Sequence, residues 1–227
     1  MMSFTRKLEQ LRNDLVTQGE RVFDLALRSV DCYFERNEEK AREVIQGDEI
    51  IDRVDVEIER ASISLLMMGE TDEHGIRFVL TIVKVNNELE RIADCAVNIA
   101  EVVVRYHQEM VEQVPATFRV MANSVMGMVR DANRSLAELN VGLARQVLGF
   151  DNTVDQFKEE ISLNAEKKVA VGEISVGFAF RIRSITAQLE RMADHCTNIC
   201  EQVIYLESGK IVRHMAGGWS EPAAPEA

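Results

Sequence analysis

The sequence predicts an all-α protein built as two tandem three-helix bundles, with six long helices related by internal duplication. Apolar residues recur at intervals of three and four along most of the 227-residue chain, which is the spacing of an amphipathic helix. Only 3 prolines and 12 glycines interrupt this pattern. No sustained alternation of apolar and polar residues stands beside turn signals, so strands are not expected.

The duplication is visible as a motif that occurs twice. Residues 89–94 read Leu-Glu-Arg-Ile-Ala-Asp, and residues 189–194 read Leu-Glu-Arg-Met-Ala-Asp. In both copies an Asn-Ile pair begins four residues after the aspartate. An Asp-x-x-x-Asp pattern stands upstream of each copy, at residues 48–52 and 151–155. Because self-similarity at a fixed offset marks a duplicated unit, the sequence predicts two similar halves.

We expect three helices in the first half. The first extends to about Asn37, where a turn leads into the second. The second ends at Gly69, a suitable C-cap because glycine tolerates a left-handed backbone. The third runs from about Ile76 to Val111. Helices of this length bury their apolar stripes by packing against one another, which predicts a bundle.

The second half begins after Pro115 and repeats the same order of helices. They are expected over residues 116–140, 141–169 and, after Gly172, 173–207. We therefore place one bundle at residues 1–113 and the other at 114–214. Residues 215–227 contain a Gly-Gly pair and two prolines, and we expect this tail to be disordered.

Composition narrows the classes of function. The net charge of -12 and the pI near 4.9 argue against a nucleic-acid partner, since phosphate backbones require clustered Lys and Arg. The four cysteines form no disulfide framework for a chain of this length, which favours a reducing cytoplasm. Neither a signal-peptide apolar segment nor a stretch long enough to cross a membrane is present, so we expect a cytoplasmic protein without membrane insertion.

Acidic pairs four residues apart are the main candidate functional residues, because such pairs lie on one helix face. Like charges at this spacing destabilise a helix, and four carboxylates brought together by packed helices repel unless protons or cations neutralise them. Oxygen ligands of this type suit iron, manganese, magnesium, calcium, or zinc in a mixed site. The predicted ligands are Asp48, Asp52, Glu90 and Asp94 in the first half, and Asp151, Asp155, Glu190 and Asp194 in the second.

Three further residues are candidate ligands beside these carboxylates. Asn98 and Asn198 extend the acidic stripe in each half, and His195 offers a nitrogen ligand in the second half only. A separate zinc site at His195, Cys196 and Cys200 has no counterpart in the first half, so we interpret the cysteines as core residues.

Two simpler interpretations stand beside the metal hypothesis. The acidic pairs could be solvated helix faces of an acidic protein, but their repetition in duplicated registers favours a metal. The repeated Arg91 and Arg191 could hold an anion, although local ion pairs with acids such as Glu57 or Glu160 are the usual role of helix arginines.

Signatures of catalysis are missing from the sequence. No histidine stands three residues after a glutamate, as carboxylate-bridged di-iron oxidases would require. No phosphate-binding loop, dinucleotide fingerprint or nucleophile elbow occurs. We therefore predict a non-enzymatic protein. The alternatives are a metalloenzyme that uses the same carboxylates, and a purely structural helical interaction module.

The repeated Leu-Glu-Arg-Ile/Met-Ala-Asp-x-x-x-Asn-Ile, with Asp-x-x-x-Asp upstream, resembles the PhoU family over the chain up to about His214. The resemblance implies multinuclear iron or zinc clusters at the two four-carboxylate sets. It also implies a cytoplasmic negative regulator of phosphate uptake, often a homodimer. Such a regulator acts between the phosphate ABC transporter ATPase and the phosphate sensor histidine kinase, and lowers phosphate-starvation signalling when phosphate is plentiful. One departure is Cys95, which stands where the second copy has His195.

Overall fold

The structure is a computed structural model that describes residues 3–69, 72–109, 113–209 and 212. Within these ranges it contains α-helices and one 3-10 turn but no strand, which confirms the predicted all-α class and the two three-helix bundles. The helices are α1 (Phe4–Glu35), α2 (Glu38–Leu66), α3 (Glu73–Tyr106), α4 (Ala116–Glu138), α5 (Val141–Ala170) and α6 (Val176–Ser208), and the 3-10 turn is His107–Glu109.

Side-chain caps explain where most of the helices begin. Five helices follow a Ser, Asn or Asp whose side-chain oxygen accepts a hydrogen bond from the backbone N–H three residues later. These caps are Ser3, Asn37, Asp72, Asn140 and Ser175. The duplication extends to the turns, because α1 and α4 both end at a residue in the left-handed region, Arg36 with φ 56° and Leu139 with φ 50°.

Some helix ends differ from the sequence-based expectation. Helix α2 ends at Leu66, and Gly69, with φ 70°, lies in the turn that follows. Helix α6 begins at Val176 rather than 173, because the turn after Gly172 continues until Ser175 can cap the helix. The third helix begins at Glu73 and ends at Tyr106, five residues before the expected Val111, because the chain tightens into a 3-10 turn at His107–Glu109. His214 and the 215–227 tail lie outside the described residues. The proposed domain boundaries remain predictions.

Helices α3 and α6 pack against each other and join the two halves in what we call the central seam. They run antiparallel, since Asn98 Nδ2 lies 3.4 Å from Gln188 Oε1 near one end and Asn198 Nδ2 lies 3.0 Å from Glu88 Oε2 near the other. The two contacts are related by the duplication, because residues 98 and 88 correspond to 198 and 188. The seam therefore has approximate two-fold symmetry.

Helices α1 and α4 make a second contact between the halves. Asn133 Nδ2 donates a hydrogen bond of 2.7 Å to the backbone oxygen of Gly19. A Cβ atom at Gly19 would stand 2.8 Å from Asn133 Oδ1, so an alanine there would force the Asn133 amide to shift. None of the helices in the described ranges has the combined length and apolar character needed to cross a membrane.

Candidate functional site

The first predicted carboxylate set converges between α2 and α3. Asp48 and Asp52 lie one turn apart on α2, and Glu90 and Asp94 lie one turn apart on α3, which packs against it. Burial raises the pKa of Asp48 to about 6, and the charges of Asp52 and Asp94 contribute. Burial, followed by the charge of Asp94, also raises the pKa of Glu90. The four side chains thus share one electrostatic environment.

Asp55 belongs to the same environment, although the sequence analysis did not include it. Burial raises its pKa, with contributions from Glu59 and Asp52, and its charge in turn raises the pKa of Glu90. The buried Asn86 holds it in place by donating to Asp55 Oδ1 at 2.6 Å and to its backbone oxygen at 3.0 Å. The available signal was its position three residues after Asp52, on the same helix face.

The second predicted set converges between α5 and α6. Asp151 is buried, and Asp194 stays exposed beside it. Partial desolvation by the surrounding helices nevertheless raises the pKa of Asp194 to about 6. Asp151, Glu190 and Asp155 add to this rise, while His195 opposes it. The other three predicted carboxylates of the second half therefore all act on Asp194.

A lysine distinguishes the second set from the first. Lys158 Nζ forms an ion pair with Glu190 Oε1, and the offset of 103 residues places Lys158 at the position of Asp55. The first set has a carboxylate at this position, whereas the second set has a cation there. The two predicted sites are therefore not equivalent, because an ammonium group offsets part of the repulsion in the second.

The three additional candidate ligands contact the opposite half of the protein. His195 Nδ1 lies 2.7 Å from Glu88 Oε2, and Asn198 donates to that same oxygen. Asn98 pairs with Gln188. These contacts stabilise the central seam, a role that the sequence analysis did not assign to them. Helix spacing alone could not reveal it, since Glu88 comes from a different helix.

The cysteines are buried core residues, as the sequence analysis interpreted them. Burial raises the pKa of Cys95 to about 11 and that of Cys200 to about 12, and it raises the pKa of Cys196 well above its usual value. The thiols lie in the apolar core, and His195 bonds to Glu88 of the other half. The zinc interpretation of His195, Cys196 and Cys200 finds no support in this arrangement.

The donor chemistry of the two carboxylate sets fits a hard cation, although the side chains are not arranged as ligands. In the parts of the chain that the structure describes, no group of three or more His, Cys, Asp or Glu side chains is placed to hold a metal ion. Arg91 contacts Glu90 at 3.4 Å and Asp94 at 3.2 Å, its neighbours on α3 rather than the suggested Glu57. Because Arg91 is 48% exposed, side-chain rotation would free both carboxylates.

Glu160, the other acid suggested as an arginine partner, accepts a hydrogen bond of 3.0 Å from Thr117 Oγ1. It therefore links the start of α4 to α5. This contact shows the level along α5 at which α4 begins.

Comparison with known proteins places the whole chain beside proteins of one type. The model of the PhoU domain matches twice, over residues 15–103 and 118–203. A Thermotoga maritima protein named phosphate-specific transport system accessory protein PhoU homolog 1 is 30% identical over 216 residues, covering 95% of this chain and 93% of the relative. A Clostridium acetobutylicum PhoU homolog is 31% identical over 215 residues, covering 92% and 96%.

Solved structures agree with these matches. The crystal structure of PhoU from Pseudomonas aeruginosa superimposes with a TM-score of 0.86 at 25% identity, covering 91% of this chain and all of that one. The phosphate transport system regulatory protein PhoU from Streptococcus pneumoniae also gives 0.86, at 24% identity and with 93% of this chain covered. Since the domain matches both halves and the fold agrees along the chain, this protein belongs to the PhoU family.

Proposed function

We propose that this protein is a metal-binding regulatory adaptor of phosphate uptake. It acts in the cytoplasm between the phosphate ABC transporter, through its ATPase, and the phosphate sensor histidine kinase, and it represses phosphate-starvation signalling when phosphate is plentiful. Support comes from relatives named as accessory proteins of the phosphate-specific transport system and from a structural neighbour named as its regulatory protein. These names describe assistance to a transporter, which favours an adaptor over an enzyme.

The observation that carries the metal-binding part is the convergence of carboxylates whose pKa values are raised. Burial and mutual repulsion raise the pKa of Asp48 and of Asp194 to about 6. Positive charge that neutralises the carboxylates therefore stabilises both sets. A bound cation supplies that charge without a change of pH. Iron or zinc clusters are the proposed occupants, with manganese, magnesium and calcium as the other oxygen-binding candidates.

The residues proposed to hold the metals are the two four-carboxylate sets described above. Asp48 and Asp52 would face Glu90 and Asp94 in the first site, with Asp55 beside them. Asp151 and Asp155 would face Glu190 and Asp194 in the second. The metal would join the two helices of each pair and change the charge of the surface that partners meet.

Elemental analysis of the purified protein tests the metal assignment. The variant Asp48→Asn, Asp52→Asn, Glu90→Gln, Asp94→Asn should lose the metal of the first site, and circular dichroism should show unchanged helicity. A matched control, Glu20→Gln, Glu49→Gln, Glu57→Gln, Glu101→Gln, removes the same number of charges from exposed positions and should keep its metal. Equal metal content in the two variants would refute the site.

A phosphate-starvation reporter in the native cell tests the regulatory role. Deletion of the gene should raise reporter output in high phosphate, and the wild-type gene should restore repression. Cross-linking with the phosphate transporter ATPase and the sensor histidine kinase, each identified by mass, should yield complexes with this protein. Equal reporter output with and without the gene would overturn the proposed function. Size-exclusion chromatography with light scattering tests the proposed homodimer.

A further inference from the structure

The first carboxylate set continues by one helical turn beyond the residues that the repeated motif predicts. On α2, Asp55 follows Asp52 and lies one turn before Glu59, and on α3 Asn86 lies one turn before Glu90. The two helices meet at this level, since Asn86 Nδ2 lies 2.6 Å from Asp55 Oδ1. The charge of Asp55 also raises the pKa of Glu90, which places both carboxylates in one electrostatic environment.

Asn86 is only 3% exposed, and the two ends of its amide differ in their hydrogen bonding. The amide nitrogen donates to Asp55 Oδ1 at 2.6 Å and to the Asp55 backbone oxygen at 3.0 Å. The amide oxygen is also buried, but it accepts no hydrogen bond from any residue that the structure describes. Because a buried oxygen without a partner destabilises the folded state, a group that binds this oxygen would stabilise it.

Rotation of the Asn86 amide would present its oxygen to the neighbouring carboxylate. The nitrogen and the oxygen belong to one planar group, so a half-turn of the amide exchanges their positions. Oδ1 would then face the Asp55 carboxylate, and the oxygens would repel each other unless a cation lay between them. Carboxylate and amide oxygens are the preferred ligands of magnesium, manganese and calcium. The chemistry of this position therefore fits a hard divalent cation.

The second half carries a positive charge at the equivalent position. The offset of 103 residues places Lys158 at the position of Asp55, and the offset of 100 residues places Glu190 at the position of Glu90. The ammonium group of Lys158 forms an ion pair with the Glu190 carboxylate. In the second half, therefore, the counterpart of Glu90 already binds a cation that projects from the counterpart of Asp55.

The other oxygen-bearing residues at this level also differ between the halves. Thr186 stands at the position of Asn86, and Ser162 stands at the position of Glu59. The second half thus replaces an amide and a carboxylate with two hydroxyl groups, which bring no negative charge. Where the chain supplies its own ammonium group, it lacks the amide and carboxylate oxygens that a hard cation would need.

We infer that Asp55, Asn86 and Glu90 bind one additional hard divalent cation, magnesium or manganese, which the ammonium group of Lys158 replaces in the second half. Water completes the coordination of such a cation, because three side chains supply only part of its ligands. The inference deepens the proposed function and rests on it, since Glu90 also belongs to the first four-carboxylate set. It makes the first half hold more cations than the second.

Titration of the full-length protein with Mn²⁺, after a chelator has removed other metals, tests this site. The hydrated ion gives an electron paramagnetic resonance signal that is lost on binding, so the ions bound per chain can be counted. Asp55→Lys gives the first half the lysine of the second and should bind about one ion fewer than the wild type. The control Glu57→Lys makes the same change of charge at an exposed position of α2 and should bind the wild-type number.

Two variants of Asn86 separate cation binding from a purely structural role. Asn86→Asp keeps an oxygen ligand but removes the amide donor to Asp55, so this variant should still bind the additional ion. Asn86→Leu removes both groups and should lose the ion. If Asn86 served only to hold Asp55 by hydrogen bonds, both variants would lose the ion, and that result would overturn the inference.

A gain of binding supplies a test that misfolding cannot imitate. Lys158→Asp combined with Thr186→Asn builds the same three ligands in the second half and should bind about one Mn²⁺ more than the wild type. Equal numbers of ions bound by the wild type, by Asp55→Lys and by this double variant would overturn the inference. Such a result would leave the proposed function standing, because reporter repression and the metal of the four-carboxylate sets are measured separately.

Discussion

The substitution Asp48→Asn gives the sharpest test of the electrostatics in the first carboxylate set. The pKa of Asp48 rises from its ordinary 3.8 to about 6, first because the side chain is partly buried and then because Asp52 and Asp94 lie near. At ~1.4 kcal/mol per pKa unit, the folded state is destabilised by about 3 kcal/mol before solvent screening. Because Asp48 is only half-buried, we expect about 1 kcal/mol after screening.

The size of this stability difference depends on pH. Below about pH 3, well under the ordinary pKa of 3.8, the carboxyl is protonated in both the folded and the unfolded states, so Asp48→Asn should change the free energy of unfolding little. Between about pH 4 and pH 6 the unfolded chain ionises this carboxyl while the folded protein keeps it protonated, so the wild type loses stability across this window. The variant should then be more stable than the wild type by about 1 kcal/mol, an advantage fully present above the folded pKa.

Urea denaturation at about pH 3 and at about pH 7.5, in the presence of a chelator, measures this difference. Glu49→Gln, at the adjacent exposed position of α2, serves as the control and should change stability by less than about 0.5 kcal/mol at both pH values. A destabilised Asp48→Asn variant at pH 7.5, or a gain of equal size at both pH values, would show that the carboxylates do not repel as argued. Added metal should reverse the order, because only the wild type retains the full ligand set.

Three further predictions concern other parts of the molecule. Lys158→Asp should make the second carboxylate set resemble the first. It should lower the free energy of unfolding in chelator by about 1 kcal/mol and raise the amount of metal bound per chain. Unchanged metal content and stability would show that Lys158 does not neutralise the set. Gly19→Ala should destabilise the protein by about 1–3 kcal/mol in urea, because its Cβ would clash with Asn133. Gly127→Ala, which meets no atom within 4 Å, should instead be neutral or stabilising, and similar losses for both variants would contradict this. All four cysteines are buried, so the native protein should not react with a thiol reagent until it is unfolded; rapid labelling of the folded protein would count against the packed core.

Most of the fold could be predicted from the sequence because the relevant signals are local. Helical periodicity, few prolines and capping residues such as Asn37 and Asn140 act within one or two turns of the chain. The duplication then indicated two bundles. The ends of the third and sixth helices were less predictable, since competition between a cap and a turn, as at Ser175, depends on small differences in free energy.

The candidate site was predictable only in part. Asp48 with Asp52, and Glu90 with Asp94, could be paired because residues four apart share a helix face wherever the helix packs. Sequence spacing could not show that Lys158 would reach Glu190, or that His195 would bond to Glu88. Those contacts join different helices, and their geometry depends on how the helices are rotated and shifted relative to each other.

The sequence by itself determined the helices, their duplication and the acidic pairs on each helix, because these depend on residues within a few turns. Only the tertiary structure decided that the two carboxylate sets differ and that Asn98 and Asn198 join the halves. Thr117 of α4 meets Glu160 only because α4 begins at that level of α5. Such registers between helices arise from packing, which no single helix encodes.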